Sequence, residues 1–187
     1  MNLILLYPLV YRPLKVNFSK QFELLSKVCS GYIFTLANNR YRELPVASFS
    51  LFSEELGPSA TSRFSRGVWI RIVFPLLFLW RKRRIDTIIT YDPYGSGLAG
   101  VILKLFLRTK LIVEVNGDYH KLEPSEQILK RWLMRIIFDS VVWWADAIKV
   151  LNKEQERFFR QRYSGKKIFR FQAFVVTEFF RSLECYQ

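Results

Sequence analysis

Short, almost wholly apolar runs alternate along this chain with longer runs of helical spacing, and this alternation constrains the fold more than any other feature. The runs predicted to be strands are residues 3–7, 32–36, 46–51, 86–90, 111–115, 147–151 and 168–171. Strands that are apolar on both sides belong in a parallel sheet that helices cover on both faces. The sequence therefore predicts an α/β fold with a Rossmann-like, doubly wound parallel sheet of about six or seven strands.

The segments between these runs predict the helices and the core. Helices are expected around Phe22, over 68–80, 98–107 and 154–162, and from near Pro124 to near Trp144. Residues 56–65 are rich in Gly, Pro, Ser and Thr, which predicts a loop. With 187 residues and no repeat or linker, residues 1–187 are expected to form a single domain. Ile88, Val113 and Ile148 should lie in its core.

A strong positive charge points to an anionic partner. The chain has 29 Lys and Arg against 16 Asp and Glu, a net charge of +13. Nucleic acid is not expected, because the aromatic side chains fall in segments that look buried rather than free to stack on bases. Residues 63–84 combine an apolar helix, too short to span a bilayer, with basic flanks suited to an anionic membrane surface. The residues of this predicted surface are Arg63, Arg66, Trp69, Trp80, Arg81, Lys82, Arg83 and Arg84.

The alternative for residues 63–84 is a core helix with a solvated basic end.

The amino terminus has no positive charge before its apolar run and no cleavage site, so it predicts a buried strand rather than a signal peptide. We therefore expect a cytoplasmic protein, peripheral at the inner face of the membrane. Two distant cysteines, Cys29 and Cys185, suit a reducing compartment, and with a single histidine they supply no metal-ligand set.

A glycine-rich turn follows the predicted strand 86–90. Gly95-x-Gly97-x-x-Gly100, with Glu114 further on, has the spacing of a dinucleotide-binding turn. In that motif the first glycine directly follows the strand, whereas four residues including Pro93 intervene here. A nucleotide- or dinucleotide-binding protein thus stays an alternative. The simpler expectation is a helix start whose N–H groups attract anionic or hydroxyl-rich ligands.

Polar residues follow the next predicted strand as well, and the two loops should meet at one edge of the sheet. Glycines there would let a ligand approach the backbone, and the acids would orient its hydroxyl groups, although Asp also commonly begins turns and caps helices. The expected pocket residues are Asp92, Gly95, Ser96, Gly97, Asn116, Gly117, Asp118 and His120. His120, the only histidine of the chain, is expected at the rim.

These loops carry a resemblance. "TYDPYGSGLAGVILKLFLRTKLIVEVNGD" is similar to the amino-terminal half of family 4 (group 1) retaining glycosyltransferases, which have an acid–proline turn, "Gly-Leu-Ala-Gly" opening a helix, and a strand closing on "Glu-Val-His-Gly-Asp". "WWADAIKVLNKEQERFF" resembles the family's Ala-Asp strand and the helix after it, and "GKKIFRFQAFVVTEFF" its crossover to a second domain. The resemblance implies a GT-B fold and transfer of a hexose from a nucleotide sugar, with retention and without an obligatory metal.

The chain departs from the family in three places. The family's histidine falls on Asn116, and its crossover pattern falls on Gln172–Val176 with the polar turn mostly replaced. The sequence ends where the donor-binding domain should begin, so the resemblance implies that no cofactor binds here and that the nucleotide sugar binds a missing or partner domain. We expect an acceptor domain for a sugar or lipid-linked saccharide, in cell-surface polysaccharide or glycolipid synthesis. The remaining alternative is a non-catalytic binding module, either a remnant or a subunit that completes a partner chain.

Overall fold

The computed structural model describes residues 1–7, 22–37, 41–55, 59–79, 85–117 and 128–171. In these ranges eight strands form one sheet in the order β3-β4-β2-β1-β5-β6-β7-β8. All neighbours are parallel except the edge strand β3, which runs antiparallel to β4. The strands are β1 (Asn2–Leu6), β2 (Ser30–Ala37), β3 (Tyr41–Val46), β4 (Phe49–Glu55), β5 (Thr87–Thr90), β6 (Lys110–Val115), β7 (Ala147–Val150) and β8 (Lys167–Arg170).

Helices connect the strands, and residues 22–26 are helical too. The longer elements are α1 (Ala60–Val68), a π-helical segment (Trp69–Val73), α2 (Phe74–Leu79), α3 (Gly95–Leu107), α4 (Ile128–Trp144) and α5 (Lys153–Arg162). The first three run on without a break, and we call them together the 60–79 helix. The predicted doubly wound α/β architecture is confirmed, with one more strand than the sequence indicated.

Side chains alternate along the central strand β1 and divide the core in two. Ile4 and Leu6 pack in one cluster with residues of the 60–79 helix, α3 and α4. Leu3 and Leu5 pack on the other face with Phe22. A third cluster joins α4 and α5 to β6, β7 and β8. Helical residues therefore cover both faces, and the predicted core residues Ile88, Val113 and Ile148 are fully buried.

Two sequence expectations are wrong. The predicted strand 46–51 spans a turn, because Ala47 adopts a left-handed φ of 53° and reverses the chain between β3 and β4. The predicted loop 56–65 is helical from Ala60 onward. Its polar and small residues are tolerated there because the helix packs against the sheet, and tertiary contacts commonly override weak local propensity.

The strand order creates a crevice at one edge of the sheet. From β1 the chain passes to β2 and β4 on one side, and later to β5, β6, β7 and β8 on the other. The connections after β1 and β5 therefore diverge, although these two strands are neighbours. In open α/β sheets ligands bind at such a switch point, outside the carboxyl ends of the strands. The candidate site lies here.

Candidate functional site

The turn after β5 is held together by a buried carboxylate. The Oδ1 atom of Asp92 accepts a hydrogen bond from the Tyr94 backbone N–H at 2.7 Å. Its Oδ2 atom accepts from the Ser96 backbone N–H at 3.3 Å and from the Ser96 hydroxyl. Asp92 is only 7% exposed and Ser96 is fully buried. These two predicted pocket residues thus bond to each other and fix the start of α3.

The glycine spacing of this turn is explained by packing. A β-carbon on Gly97 would lie 2.8 Å from Val141 Cγ1 of α4 and 2.9 Å from the backbone oxygen of Asp92. A β-carbon on Gly100 would lie 2.6 Å from Thr90 Cγ2 of the sheet. Gly97 therefore lets α3 approach α4, and Gly100 lets α3 approach the sheet. Protein atoms fill the space beside both glycines.

Gly95, the first glycine of the motif, differs from Gly97 and Gly100 in its exposure to solvent. It is exposed, and it begins a helix of 13 residues whose first turn contains no acidic residue. The positive end of the helix dipole therefore lies at the carboxyl edge of the sheet, where it favours anionic groups. Gly95 is the part of the predicted glycine pocket that solvent reaches.

Arg71 is the residue of this site that sequence reasoning missed. Its Nε–H donates to the backbone oxygen of Tyr7, just beyond β1, at 3.1 Å. Its Nη1 atom lies 3.6 Å from the position that a β-carbon on Gly95 would take. Burial lowers the pKa of Arg71 below its ordinary value, and the negative charge of Asp92 opposes this shift. A guanidinium therefore lies between the ends of β1 and β5, at the start of α3.

The Arg71 side chain keeps unused hydrogen-bonding capacity. Its Nη2 atom is buried and has no hydrogen-bond partner among the described residues. Arg71 also lies in the π-helical segment, a geometry that is found often at functional sites. The one signal in the sequence was a charge inside an otherwise apolar helical run, and it gave no indication of where that charge would lie.

The loop after β6 meets the loop after β5. The Asn116 side chain is exposed, and its Nδ2 group donates to the backbone oxygen of Tyr91 at 3.0 Å. Gln155 of α5 donates through Nε2 to the Gly117 oxygen at 3.2 Å and accepts from Leu151 N–H at 2.9 Å. Three consecutive strand-end loops are thereby tied together. Asp118 and His120 lie outside the described residues.

Glu114, the acid of the dinucleotide alternative, is paired inside the sheet. It is 5% exposed, and its Oε1 atom lies 2.8 Å from Nζ of Lys149, its register partner on β7. Burial raises the pKa of Glu114, and the hydrogen bond and charge of Lys149 oppose this shift. The carboxylate therefore serves an ion pair between β6 and β7.

The predicted membrane residues are described only in part. Arg63 is exposed, and Arg66 donates to the backbone oxygen of Glu55 at 3.0 Å. Trp69 is 42% exposed. The rest of that predicted surface, Trp80 and residues 81–84, lies outside the described residues. Within the described ranges, no helix combines the length and the apolar character needed to cross a bilayer.

The described residues contain no group of three or more His, Cys, Asp or Glu side chains placed to hold a metal ion. Cys29, the cysteine within the described ranges, is buried with a free thiol. The groups that the structure brings together at this site are the Arg71 guanidinium, the Asn116 amide and the start of α3. Such groups recognise ligands through charge and hydrogen bonds.

The fold recurs in solved structures. Sucrose-phosphate synthase from Thermosynechococcus elongatus matches 92% of this chain with a TM-score of 0.67 and 13% identity. UGT89C1 from Arabidopsis thaliana, solved with UDP-L-rhamnose, matches 93% with a TM-score of 0.60 and 10% identity. UDP-GlcNAc 2-epimerase from Methanocaldococcus jannaschii matches 91% with a TM-score of 0.55 and 17% identity.

This chain covers 48%, 49% and 45% of those three proteins, and so spans about half of their length. No known protein-family profile matches the sequence, and no curated protein sequence does. At identities this low the shared feature is the fold, a Rossmann-like half of the kind found in GT-B glycosyltransferases. Because one of the three is an epimerase, the fold alone leaves the reaction open.

Proposed function

We propose that this chain is the acceptor-side half of a GT-B glycosyltransferase. The observation that carries the proposal is the match of more than nine-tenths of this chain to about half of sucrose-phosphate synthase and of UGT89C1. The order of the motifs that resemble the amino-terminal half of family 4 retaining glycosyltransferases supports it independently. The reaction proposed is transfer of a hexose from a nucleotide sugar, with retention, to a saccharide or lipid-linked saccharide.

The acceptor would bind at the switch point between β1 and β5. Gly95 and Asn116 are exposed at this edge, and the Arg71 guanidinium lies beside Gly95. Asn116, which replaces the family's histidine, can donate and accept hydrogen bonds to sugar hydroxyls. Arg71 and the start of α3 favour a negative group, so the preferred acceptor carries a phosphate. The predicted residues Asp118 and His120, which lie outside the described residues, would also contact the acceptor.

The donor would bind elsewhere. In the resembled family the nucleotide sugar binds mainly to a second Rossmann-like domain, and the two halves together position the reacting groups. Positioning supplies much of an enzyme's rate, so this half alone should turn over no substrate. The donor domain would belong to a partner chain or to a further part of the same protein.

Calorimetry tests this division of labour. We expect UDP-glucose to give no measurable heat with the chain, whereas glucose 6-phosphate, an acceptor probe with a phosphate, binds in the millimolar range. Arg71→Gln should weaken binding of glucose 6-phosphate and leave binding of glucose unchanged, because the lost interaction is with the phosphate. Lys153→Gln, at an exposed lysine on α5, is the matched control.

Three results would contradict the proposal. Micromolar binding of UDP-glucose would place the donor site on this half. Tight binding of a nicotinamide dinucleotide would support the dinucleotide alternative for the Gly95-x-Gly97-x-x-Gly100 turn. If glucose 6-phosphate binds and no donor domain restores transfer, the chain is the non-catalytic binding module that the sequence left open.

The protein would work at a membrane surface, as residues 63–84 suggest. Each basic residue close to an anionic surface contributes about 1 kcal/mol to binding. Replacing Arg81, Lys82, Arg83 and Arg84 with Gln should weaken sedimentation with anionic vesicles. Unchanged sedimentation would favour the alternative of a core helix with a solvated basic end.

A further inference from the structure

The outward face of α4 carries a stripe of large apolar side chains. Leu129 is 79% exposed, Trp132 66% and Trp143 65%. The full set of exposed apolar side chains on this helix is Ile128, Leu129, Trp132, Leu133, Ile136, Trp143 and Trp144. At 100° per residue, the middle of this face holds Trp132, Ile136 and Trp143 within a narrow arc.

The inward face of the same helix is also apolar. Phe138, Val141 and Val142 are buried against the sheet and α5. A helix with apolar side chains on two faces is normally covered on both of them. Among the described residues, no other element packs over the exposed apolar side chains of α4.

The neighbouring helix α3 also exposes apolar side chains. α3 packs beside α4 in the same helical layer. It leaves Leu98, Leu105 and Phe106 exposed, at 43%, 52% and 62%. Soluble monomers rarely expose broad apolar patches, and those that do commonly bind a protein or a membrane there.

The charges on α4 identify the partner. This helix contains three basic residues and one acidic residue, Asp139, which forms an ion pair with Arg162 of α5. Arg131 and Arg135 flank the apolar stripe of α4 on one side. A second copy of this chain would bring like charges together, in a protein whose net charge is already +13. An anionic lipid surface complements both the apolar stripe and its basic border.

We propose that the outward face of α4 is a docking surface on which the protein lies against an anionic membrane. The helix axis runs parallel to the bilayer, and the side chains of Trp132, Ile136 and Trp143 enter the boundary between headgroups and acyl chains. Trp132 and Trp143 are separated by about 16 Å along the helix. They anchor both halves of the stripe, while Arg131 and Arg135 contact the headgroups.

This surface differs from the predicted 63–84 surface and from the acceptor site. It lies on the outside of the helical layer, whereas the acceptor site lies at the carboxyl edge of the sheet. The membrane proposal therefore does not depend on the proposed transferase function.

Co-sedimentation of the full chain with vesicles tests the proposal. We expect binding to vesicles of phosphatidylcholine and phosphatidylglycerol at about 7:3, and much weaker binding to phosphatidylcholine alone. The double variant Trp132→Ser/Ile136→Ser should reduce the partition coefficient about tenfold or more, because two buried apolar side chains are lost. Both side chains are exposed, so the fold should survive, and thermal melting checks this.

The matched control removes exposed apolar groups from the opposite face. Leu24 lies in the helical residues 22–26 and Val28 follows them, and the two are 49% and 73% exposed. Phe22 of the same segment packs on the face of the sheet opposite to α4. Leu24→Ser/Val28→Ser should bind vesicles as the wild type does. In addition, Arg131→Gln/Arg135→Gln should weaken binding to the anionic vesicles more than binding to phosphatidylcholine.

Three results would overturn the proposal. The first is vesicle binding by Trp132→Ser/Ile136→Ser that equals that of the wild type. If the variant of residues 81–84 loses binding while this variant keeps it, the contact surface is residues 63–84 instead. The second is a wild-type protein that binds neither vesicle. The third is a wild-type dimer in analytical ultracentrifugation that becomes a monomer in this variant, which would make the face an interface between copies.

Discussion

Gly97→Ala is the substitution that best separates a packing role for the glycine turn from a ligand-binding role. The added methyl group would lie 2.8 Å from Val141 Cγ1 and 2.9 Å from the backbone oxygen of Asp92. Real β-carbons almost never approach other atoms closer than 3.0 Å, so something must move. The Val141 side chain can shift, but the Asp92 oxygen belongs to the backbone of the turn that fixes α3.

The expected magnitude follows from two opposing effects. Overpacking a tight contact costs roughly 1 to 3 kcal/mol. Replacing glycine by alanine inside a helix gains roughly 1 kcal/mol through helix propensity. The free energy of unfolding should therefore fall by up to about 2 kcal/mol. A Val141→Ala substitution should recover part of this loss, with a coupling energy of about 0.5 kcal/mol or more.

Urea unfolding followed by circular dichroism measures these free energies. Gly95→Ala is the control, since its β-carbon would lie at an ordinary contact distance of 3.6 Å from Arg71 Nη1. It should be neutral or slightly stabilising. Our reasoning would be refuted by a Gly97→Ala protein as stable as Gly95→Ala, or by the absence of coupling to Val141.

Three further predictions concern the core and two titrating groups. Gly31→Ala should lower the melting temperature more than Gly97→Ala, because its β-carbon would lie 2.0 Å from the Leu3 backbone oxygen. Burial first, and then the hydrogen bond to Asp139, raises the pKa of Tyr163 to about 12. The difference in phenolate absorbance between the wild type and Tyr163→Phe should therefore appear near that pH. Burial raises the pKa of Glu114 above its ordinary 4.5, so the folded state holds this proton more tightly than the unfolded state. Stability should therefore fall as pH rises from 4.5 through the folded pKa, and urea titrations should show this slope lost in Glu114→Gln.

The architecture could be predicted because the strands are apolar on both sides. Residues such as Ile88, Val113 and Ile148 occur in short runs that are nearly all apolar, and that pattern is typical of parallel strands between helical layers. The alternation with helical spacing then fixed the order of the elements. Both patterns involve residues that are close in sequence, and the strands and helices of the folded protein follow them.

The edge of the sheet could not be predicted in the same way. Ala47 takes a left-handed conformation that Gly or Asn usually adopts, so no turn-forming residue marks the reversal between β3 and β4. Ala60 begins a helix within a stretch rich in turn-forming residues. In both places the contacts of the folded protein outweighed local preference.

The sequence predicted that the loops after β5 and β6 meet at one edge of the sheet, but the chemistry of this candidate site needed the structure. Asp92 and Asn116 were predicted there because both follow parallel strands, and the two loops do meet. Arg71 comes from a helix more than 60 residues away from the residue it contacts, Tyr7. A single sequence carries no information on that contact, since the packing of the 60–79 helix against β2, β4 and α3 creates it.

Chemical-shift mapping tests the central claim, an acceptor site at the switch point, most directly. The isotope-labelled full chain would be titrated with glucose 6-phosphate while the backbone amide resonances are recorded. We predict saturable shifts at Gly95, Asn116 and Gly117 that are lost in Arg71→Gln. Shifts confined to other parts of the sheet, or the same shifts in Arg71→Gln, would contradict the account.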